Sequence, residues 1–347
     1  MYILVTTFSK INSIVIVMIK RVLVTGHLPE VIMSELDRRF LVDANTEDKP
    51  YDRQNLLNSI MDKDGLISMI TDNIDEEVLE RASCLKMIAH FGVGYNNIDV
   101  KAATARGILV SNTPGVLTDA TAELAFALIL AVARRVVELD RATRDGHFQY
   151  WAPMLFLGRE VTGKILGIIG FGEIGKAVAQ RAKGFKMRIL YNNRRRINAV
   201  HEKELGAEYA DLHKLLAESD FVSLHVPLTD ETRHLIGEKE LSLMKPTAYL
   251  INTSRGPVVD EQALLTALLN RTISGAGLDV YENEPALTAG LADLTNVVLL
   301  PHIGSGTLET RIKMASMAVE NLMASLSNKV PPNLVNPEVL PHRRLAK

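Results

Sequence analysis

Short apolar runs alternate with stretches of helical period along nearly the whole chain. The runs are rich in Val, Ile and Leu, and turn-forming residues separate them from the helical stretches. They predict strands at residues 21–25, 65–69, 87–90, 108–110, 165–170, 188–191, 221–225, 248–252, 275–280 and 297–300. Strands that alternate with helices form βαβ units and parallel sheets, so the pattern predicts an α/β fold.

One glycine-rich turn stands between a strand and a helix in this pattern. Residues 170–175 read Gly-Phe-Gly-Glu-Ile-Gly, after the apolar run 165–169 and before a helical stretch at 176–183. In a dinucleotide site the first glycine makes the turn, the second lets the backbone approach the pyrophosphate, and the third lets helix and strand pack closely. Amides at the helix N-terminus then bind the phosphates. The sequence therefore predicts a dinucleotide site formed by Gly170, Phe171, Gly172, Glu173, Ile174 and Gly175.

The position of this motif near mid-chain, after a complete α/β unit, predicts two domains. A long helical pattern at 118–135 follows a turn signal, and an amphipathic helix at 308–327 follows a second break. Because the last helix would pack on the first domain, we expect that domain to be split. It would comprise 1–115 plus 306–347, around an inserted NAD(P)-binding Rossmann domain at 116–305. Two chain crossings would form a hinged cleft, which is a common place for a ligand.

Composition excludes several other classes of protein. The 347 residues suffice for two domains, and a formal net charge of -2 favours neither nucleic acid nor an anionic membrane as a partner. The single cysteine, Cys84, cannot form an intrachain disulfide, and we expect it to be buried in an apolar segment. No Cys/His cluster has metal-ligand spacing, so no metal is predicted. We expect a cytoplasmic protein.

The N-terminus carries one apolar run, 13–19, with basic residues around it. So short a run cannot span a bilayer, and neither a strongly basic segment before it nor a small-residue cleavage site after it indicates a signal peptide. We expect Met18 to be the functional start and 1–17 to form a loose extension.

Four further motifs follow turns or strand ends. They read Phe-Gly-Val-Gly-Tyr-Asn-Asn-Ile-Asp at 91–99, Asn-Thr-Ser-Arg-Gly at 252–256, Gly-Leu-Asp-Val-Tyr-Glu-Asn-Glu-Pro at 277–285 and Leu-Pro-His-Ile-Gly-Ser at 300–305. With the glycine motif, they resemble the D-isomer-specific 2-hydroxyacid dehydrogenases from about residue 20 to about residue 337. The chain looks most like the glyoxylate/hydroxypyruvate reductase branch, and 2-ketogluconate reductases remain an alternative. The resemblance implies two Rossmann-like or flavodoxin-like domains with parallel sheets, the split one being the substrate domain.

The resemblance also implies a catalytic set of Arg255, Glu284 and His302. Reduction of a 2-keto acid needs a proton donor and a cation for the carboxylate. Imidazole titrates near neutrality, so His302 suits the general acid, with Glu284 holding its tautomer. The planar guanidinium of Arg255 suits a carboxylate better than a lysine would. The backbone amides of Val93 and Gly94 would complete the carboxylate site.

The cofactor prediction depends on the second strand of the nucleotide domain. An NAD site needs an acid at its end for the ribose hydroxyl, but here the strand runs into Asn-Asn-Arg-Arg-Arg at 192–196. Neutral and basic groups suit the 2′-phosphate of NADP(H), so we predict Asn193, Arg194 and Arg195 as its ligands, with NAD(H) still possible. A merely solvated basic turn is the alternative. The resemblance adds Thr253, Asp279 at the nicotinamide amide and Pro227 at the adenine, where plain turn chemistry is equally open.

Partners follow from the same resemblance. We expect a small 2-keto or 2-hydroxy acid as substrate and a homodimer formed through the nucleotide domain, with the apolar face of the 118–135 helix as the contact. Trp151, the only tryptophan, resembles one in a dimer-forming extension, where it would narrow the active-site mouth or simply pack. A nucleotide-sensing co-repressor is the alternative from another class, because this fold also serves such proteins.

Overall fold

A computed structural model describes residues 19–345, so the expected extension 1–17 and the start at Met18 lie outside the described residues. The chain forms two compact units. One takes the described residues up to Val116 and from Thr307 onward, and the other is Leu117–Gly306. Within 19–345, no helix is long and apolar enough to cross a membrane.

The first unit contains a five-stranded parallel sheet in the order β2-β1-β3-β4-β5. Its strands and helices alternate: β1 (Arg21–Val24), α1 (Glu30–Asp37), β2 (Leu41–Ala44), α2 (Arg53–Ser59), β3 (Gly65–Ser68), α3 (Glu76–Arg81), β4 (Met87–His90), α4 (Val100–Ala105) and β5 (Leu109–Ser111). Three helices start on an aspartate whose side chain accepts a backbone N–H of the first turn, namely Asp52, Asp75 and Asp99. Every residue of β3 and β4 is buried, as in strands covered on both faces.

The second unit contains a seven-stranded parallel sheet in the order β12-β11-β10-β9-β6-β7-β8. Its elements are α5 (Thr118–Ala133), α6 (Val136–Arg144), β6 (Ile165–Ile169), α7 (Glu173–Gly184), β7 (Arg188–Asn192), α8 (Ala199–Leu205), β8 (Ala207–Tyr209), α9 (Leu212–Glu218), β9 (Phe221–Leu224), α10 (Glu238–Leu243), β10 (Tyr249–Asn252), α11 (Glu261–Leu269), β11 (Gly275–Leu278) and β12 (Val297–Leu299). The last long helix, α12 (Leu308–Leu326), belongs to the first unit. Short 3-10 helices lie at Gly256–Val258, Leu291–Asp293 and Pro337–His342.

All ten predicted strands are present, each within one or two residues of its predicted ends. Two strands were missed, β2 and β8, and both are sheet edges. β2 alternates exposed and half-buried residues, and β8 has only three residues, so neither shows the apolar run that marks a central strand. The predicted 118–135 helix ends at Ala133, because Arg135 takes a left-handed backbone conformation before α6 begins.

Two packing predictions were wrong. Cys84 is exposed, because the turn between α3 and β4 directs Ala82 and Leu85 into the core and leaves Ser83 and Cys84 at its tip. The apolar residues of α5 were expected to supply a dimer contact, but most of them are buried within their own unit, where α5 packs against α7, β10 and β11. A helix that is apolar nearly all round is a core helix.

Candidate active site

The site in the second unit lies where the strand order of its sheet reverses. From β6 the chain moves to β7 and β8 on one side, then returns to β9 on the other. Gly170 directly follows β6, and Pro227 lies just after β9, so both flank this point. Open α/β sheets bind ligands beyond the carboxyl ends of their strands at such a switch point.

The three motif glycines meet the requirements of a dinucleotide turn. Gly170 has φ +92°, and a Cβ there would lie 2.6 Å from the carbonyl carbon of His225. A Cβ on Gly175 would lie 2.3 Å from the Gly170 oxygen, so only glycine allows this approach of α7 to the strand. A Cβ on Gly172 would meet nothing within 4 Å, so the space above it is open. The residues present therefore fit a pyrophosphate group.

At the start of α7, backbone N–H groups rather than side chains are available to bind a cofactor. The bond from the Lys176 N–H to the Gly172 oxygen (2.9 Å) opens the helix, and the amides before it lie at its free N-terminus. The Phe171 ring is buried and stacks on Tyr191 with 4.4 Å between centroids. Because the ring of Phe171 is buried, only the backbone of this predicted ligand can reach a cofactor. Glu173 is exposed and pairs with Lys176 at 3.0 Å, and Ile174 is half-buried.

The three arginines of the basic turn after β7 differ in whether they pair with a carboxylate. Arg196 makes two hydrogen bonds to Glu202 (2.7 and 2.8 Å), and the Tyr191 hydroxyl donates to the same carboxylate at 2.5 Å. The bonds from Arg196 and then Tyr191 lower the pKa of Glu202 to about 2, so this carboxylate stays ionised. Arg194 and Arg195 are exposed and form no ion pair within residues 19–345. The Asn193 amide donates to the Arg195 oxygen at 3.1 Å, which holds the turn compact.

Arg255 is placed by the residue that ends β10. The Asn252 side chain accepts the N–H (3.0 Å) and the hydroxyl (2.8 Å) of Ser254, and it donates to the Arg255 oxygen at 3.0 Å. The guanidinium of Arg255 donates to the Ser254 oxygen at 2.7 Å. Burial lowers the pKa of Arg255, and the charge of Glu284 acts in the opposite direction. An arginine remains protonated at neutral pH under such a shift, so the site holds a fixed cation.

His302 and Glu284 form a hydrogen-bonded pair beyond β12 and β11. The distance from His302 Nδ1 to Glu284 Oε2 is 2.7 Å, and the other carboxylate oxygen accepts the Tyr281 N–H at 2.9 Å. Burial raises the pKa of Glu284, but the hydrogen bond and charge of His302, with smaller effects of Tyr281 and Arg255, shift it below its ordinary value. An ionised Glu284 is only an acceptor, so Nδ1 donates to it and Nε2 is left as the second nitrogen. His302 has φ +55°, a costly conformation for a residue with a Cβ.

Two more predicted ligands carry buried polar atoms without partners. Asp279 accepts the Ile303 N–H on Oδ1 at 2.8 Å, but its Oδ2 is buried and has no hydrogen-bond partner among the described residues. The hydroxyl oxygen of Thr253 is likewise buried and has no hydrogen-bond partner among the described residues. Burial raises the pKa of Asp279. Since buried polar groups are nearly always paired in proteins, both atoms fit a bound amide or hydroxyl.

The structure thus brings Arg255, Glu284 and His302 to the carboxyl ends of three adjacent strands, β10, β11 and β12. Val93 and Gly94 lie in the first unit, in the loop that follows β4. Sequence reasoning missed the positioning residues Asn252 and Glu202. Asn252 stands in a quoted motif, whereas nothing local to Glu202 signals its pairing. In the described part of the chain, no group of His, Cys, Asp or Glu is arranged to hold a metal ion.

Comparison with known proteins now gives the family. The family model of the D-isomer specific 2-hydroxyacid dehydrogenase, NAD binding domain, matches residues 126–304. A glyoxylate reductase of Thermococcus litoralis is 53% identical over 324 residues, which cover 92% of this chain and 98% of that protein. A glyoxylate reductase of Pyrococcus furiosus is 51% identical over 328 residues, with 93% and 97% covered.

Solved structures show the same likeness. The crystal structure of a glyoxylate reductase from Paecilomyes thermophila is 35% identical with a TM-score of 0.82, covering 92% of this chain and 99% of that one. An NADPH-dependent glyoxylate/hydroxypyruvate reductase from Sinorhizobium meliloti, in complex with NADP and malonate, is 34% identical with a TM-score of 0.83, covering 94% and 99%. The nucleotide turn, the strand-end side chains and these relatives agree, and the chain belongs to the D-isomer specific 2-hydroxyacid dehydrogenases, a family of nicotinamide-dependent oxidoreductases.

Proposed function

We propose that this protein reduces small 2-keto acids, glyoxylate and hydroxypyruvate, to D-2-hydroxy acids with NADPH. The observation that carries the proposal is the His302–Glu284 pair (2.7 Å) beside Arg255, in a chain about half identical to several glyoxylate reductases. A bound proton donor, a fixed cation and an open nucleotide turn are the parts that carbonyl reduction requires.

The side chains have distinct roles in this proposal. When bound, the reduced nicotinamide supplies the hydride that adds to C2 of the keto acid. Arg255 binds the carboxylate and polarises the carbonyl, and the amides of Val93 and Gly94 also bind the carboxylate. His302 donates the Nε2 proton to the carbonyl oxygen as it becomes a hydroxyl. Glu284 holds Nδ1–H and stabilises the charged imidazole before the proton leaves.

The cofactor contacts proposed for this chain are of two kinds. The glycine turn and the first amides of α7 would hold the pyrophosphate, with Pro227 beside the adenine. Thr253 and Asp279, with their unpartnered buried oxygens, would bind the nicotinamide end. Asn193, Arg194 and Arg195 would bind the 2′-phosphate, because Arg196 is already occupied by Glu202 and these two arginines pair with no carboxylate in residues 19–345.

Reversing the charge at Arg194 should separate the two cofactors. We expect Arg194→Asp to raise the KM for NADPH by about tenfold or more and to change the KM for NADH much less, because only NADPH carries the ribose 2′-phosphate. Steady-state kinetics with each cofactor at saturating glyoxylate measures both values. Arg38→Asp makes the same charge change on an exposed arginine of the first unit and should leave both constants unchanged. Equal effects of Arg194→Asp on the two cofactors would remove the assignment.

We also propose a homodimer formed through the second unit. The segment after α6 exposes several large apolar side chains, namely Phe148, Tyr150, Trp151, Met154 and Leu157, with Trp151 78% and Met154 77% exposed. Contiguous apolar surface of this kind marks an interaction site in a monomeric chain. Light scattering coupled to gel filtration should give about twice the chain mass of 38.3 kDa. A single-chain mass at micromolar concentration would contradict the dimer.

Oxidation of NADPH with a panel of keto acids tests the function itself. Glyoxylate, hydroxypyruvate, 2-ketogluconate and pyruvate are each compared with NADPH and with NADH, followed at the absorbance band of the reduced nicotinamide. We expect turnover of about one per second or faster with glyoxylate and hydroxypyruvate. A preference for 2-ketogluconate would change the proposed substrate and leave the proposed reaction, reduction of a 2-keto acid, unchanged. Tight cofactor binding without turnover of any acid would instead favour a nucleotide sensor.

A further inference from the structure

The loop after β4 has three consecutive carbonyl oxygens, each held by a hydrogen bond. The Gly92 oxygen accepts the Thr113 N–H at 2.9 Å, and the Val93 oxygen accepts the Asn112 side-chain amide at 2.8 Å. The Gly94 oxygen accepts Nε2 of His90 at 3.0 Å. No helix or strand imposes this pattern, so the loop is fixed by groups placed around it.

Fixing these carbonyls also fixes the amides that follow them. A peptide unit is planar and trans, so the N–H of the next residue points opposite to the held C=O. The directions of the Val93 and Gly94 amides are thereby set by the bonds to the Gly92 and Val93 oxygens, and the third bond, from His90, fixes the peptide that follows Gly94. Within residues 19–345 the Val93 N–H has no hydrogen-bond partner, so it can donate to a ligand oxygen.

Among the three groups that donate to these carbonyl oxygens, only the His90 side chain also contacts a central strand of the sheet. It is the last residue of β4, it is completely buried, and it lies opposite Ser68 in the register of β3 and β4. Its Nδ1 lies 3.0 Å from the Ser68 hydroxyl. Because a carbonyl oxygen can only accept, Nε2 carries the proton, and in the neutral ring Nδ1 accepts from Ser68. A Cβ on Gly92 would lie 2.9 Å from Nε2, so the ring fills the space under the loop.

We propose that His90 is a positioning residue for the carboxylate of the 2-keto acid. It acts through the loop and does not touch the substrate: its bond to the Gly94 oxygen holds the end of the segment whose Val93 and Gly94 amides bind the carboxylate. The inference rests on the proposed function, because it assumes that those amides face a substrate. The Asn112 side chain holds the neighbouring Val93 carbonyl. The backbone oxygen of Asn112 in turn accepts the side-chain amide of the buried Asn321 at 3.4 Å.

The test separates a positioning role from a merely structural one. His90→Leu keeps the bulk and removes both hydrogen bonds, and we expect it to raise the KM for glyoxylate about tenfold. The KM for NADPH should stay unchanged and kcat should fall by less than about threefold. His90→Gln can donate to the Gly94 oxygen again, and we expect it to recover most of the loss. His342→Gln is the matched control, because His342 also bonds a backbone oxygen of the first unit, that of Thr104 at 3.0 Å, away from the loop.

Each result decides the matter. An unchanged KM for glyoxylate in His90→Leu, or equal rises in both KM values, would overturn the positioning role. If His90→Leu does not fold, Ser68→Ala removes only the hydroxyl that faces Nδ1, and a selective rise in the KM for glyoxylate supports the role, whereas no change overturns it. Failure of the proposed function would look different, since the unmodified protein would then turn over no 2-keto acid at all.

Discussion

His302→Asn is expected to lower kcat for glyoxylate reduction by about 10²–10⁴-fold, the range that a positioned general acid contributes. Asparagine is close to histidine in size and can still donate to Glu284, but its amide has no proton to release at neutral pH. The KM values for glyoxylate and NADPH should change little, because the substitution leaves Arg255 and the glycine turn in place. Steady-state kinetics and titration of NADPH fluorescence measure the chemical step and binding separately.

A second His–Glu pair in the same unit provides the matched control. His234 lies 2.6 Å from Glu282 through Nε2, and it stands outside the proposed catalytic set. His234→Asn removes an imidazole from a similar carboxylate contact and should leave kcat within about threefold of the unmodified protein. If His302→Asn retained kcat within tenfold, or if the two variants behaved alike, His302 would not be the proton donor.

Arg255→Lys is expected to lower kcat/KM for glyoxylate by about 10²–10³-fold, comparable to the loss of a preorganised donor at a developing charge. The lysine keeps the positive charge but has neither the planar fork for a carboxylate nor the reach of the bond to the Ser254 oxygen. KM should rise and kcat should fall, because in the proposed mechanism Arg255 binds the ground-state carboxylate and polarises the carbonyl in the transition state. The KM for NADPH should be unaffected.

The control for this substitution is Arg188→Lys. Arg188 pairs with Glu208 (2.8 Å) and Glu218 (3.2 Å) on the surface of the same unit, where exposed ion pairs contribute little. Its kinetic constants should remain within about twofold of those of the unmodified protein. An Arg255→Lys enzyme with more than half of the normal kcat/KM would show that the guanidinium fork is not needed for the substrate.

The elements that the sequence predicted well are those whose signal is local. Strands such as β3 and β4 are buried along their whole length and appear as continuous apolar runs. Arg255 and His302 each follow a predicted strand within a few residues, and their proposed roles came from the family motifs around them. The edge strand β2 lacked this signal because only one side of it packs. Cys84 was misplaced because exposure at a turn depends on which neighbours point inward.

The parts that could not be predicted depend on pairings across the sheet. The bond between His90 and Ser68 requires that β3 and β4 lie side by side in one register, which no local pattern states. The role of Glu202 depends on Tyr191 and Arg196 reaching it from the turn after β7. Glu202 pairs with Arg196 and so distinguishes that arginine from Arg194, which has no such partner in residues 19–345. The sequence favoured Arg194 and Arg195 as phosphate ligands, but it did not show that Arg196 is held by a carboxylate.

Transfer of deuterium from labelled cofactor to product tests the central claim most directly. The protein is incubated with glyoxylate and NADPH that carries deuterium at both C4 positions, and the glycolate is analysed by mass spectrometry. The proposed function predicts glycolate with one deuterium on C2, in a ratio of one to the NADPH consumed, and far slower formation by His302→Asn. Unlabelled glycolate, or no glycolate while NADPH remains bound, would contradict direct reduction of the keto acid by this chain.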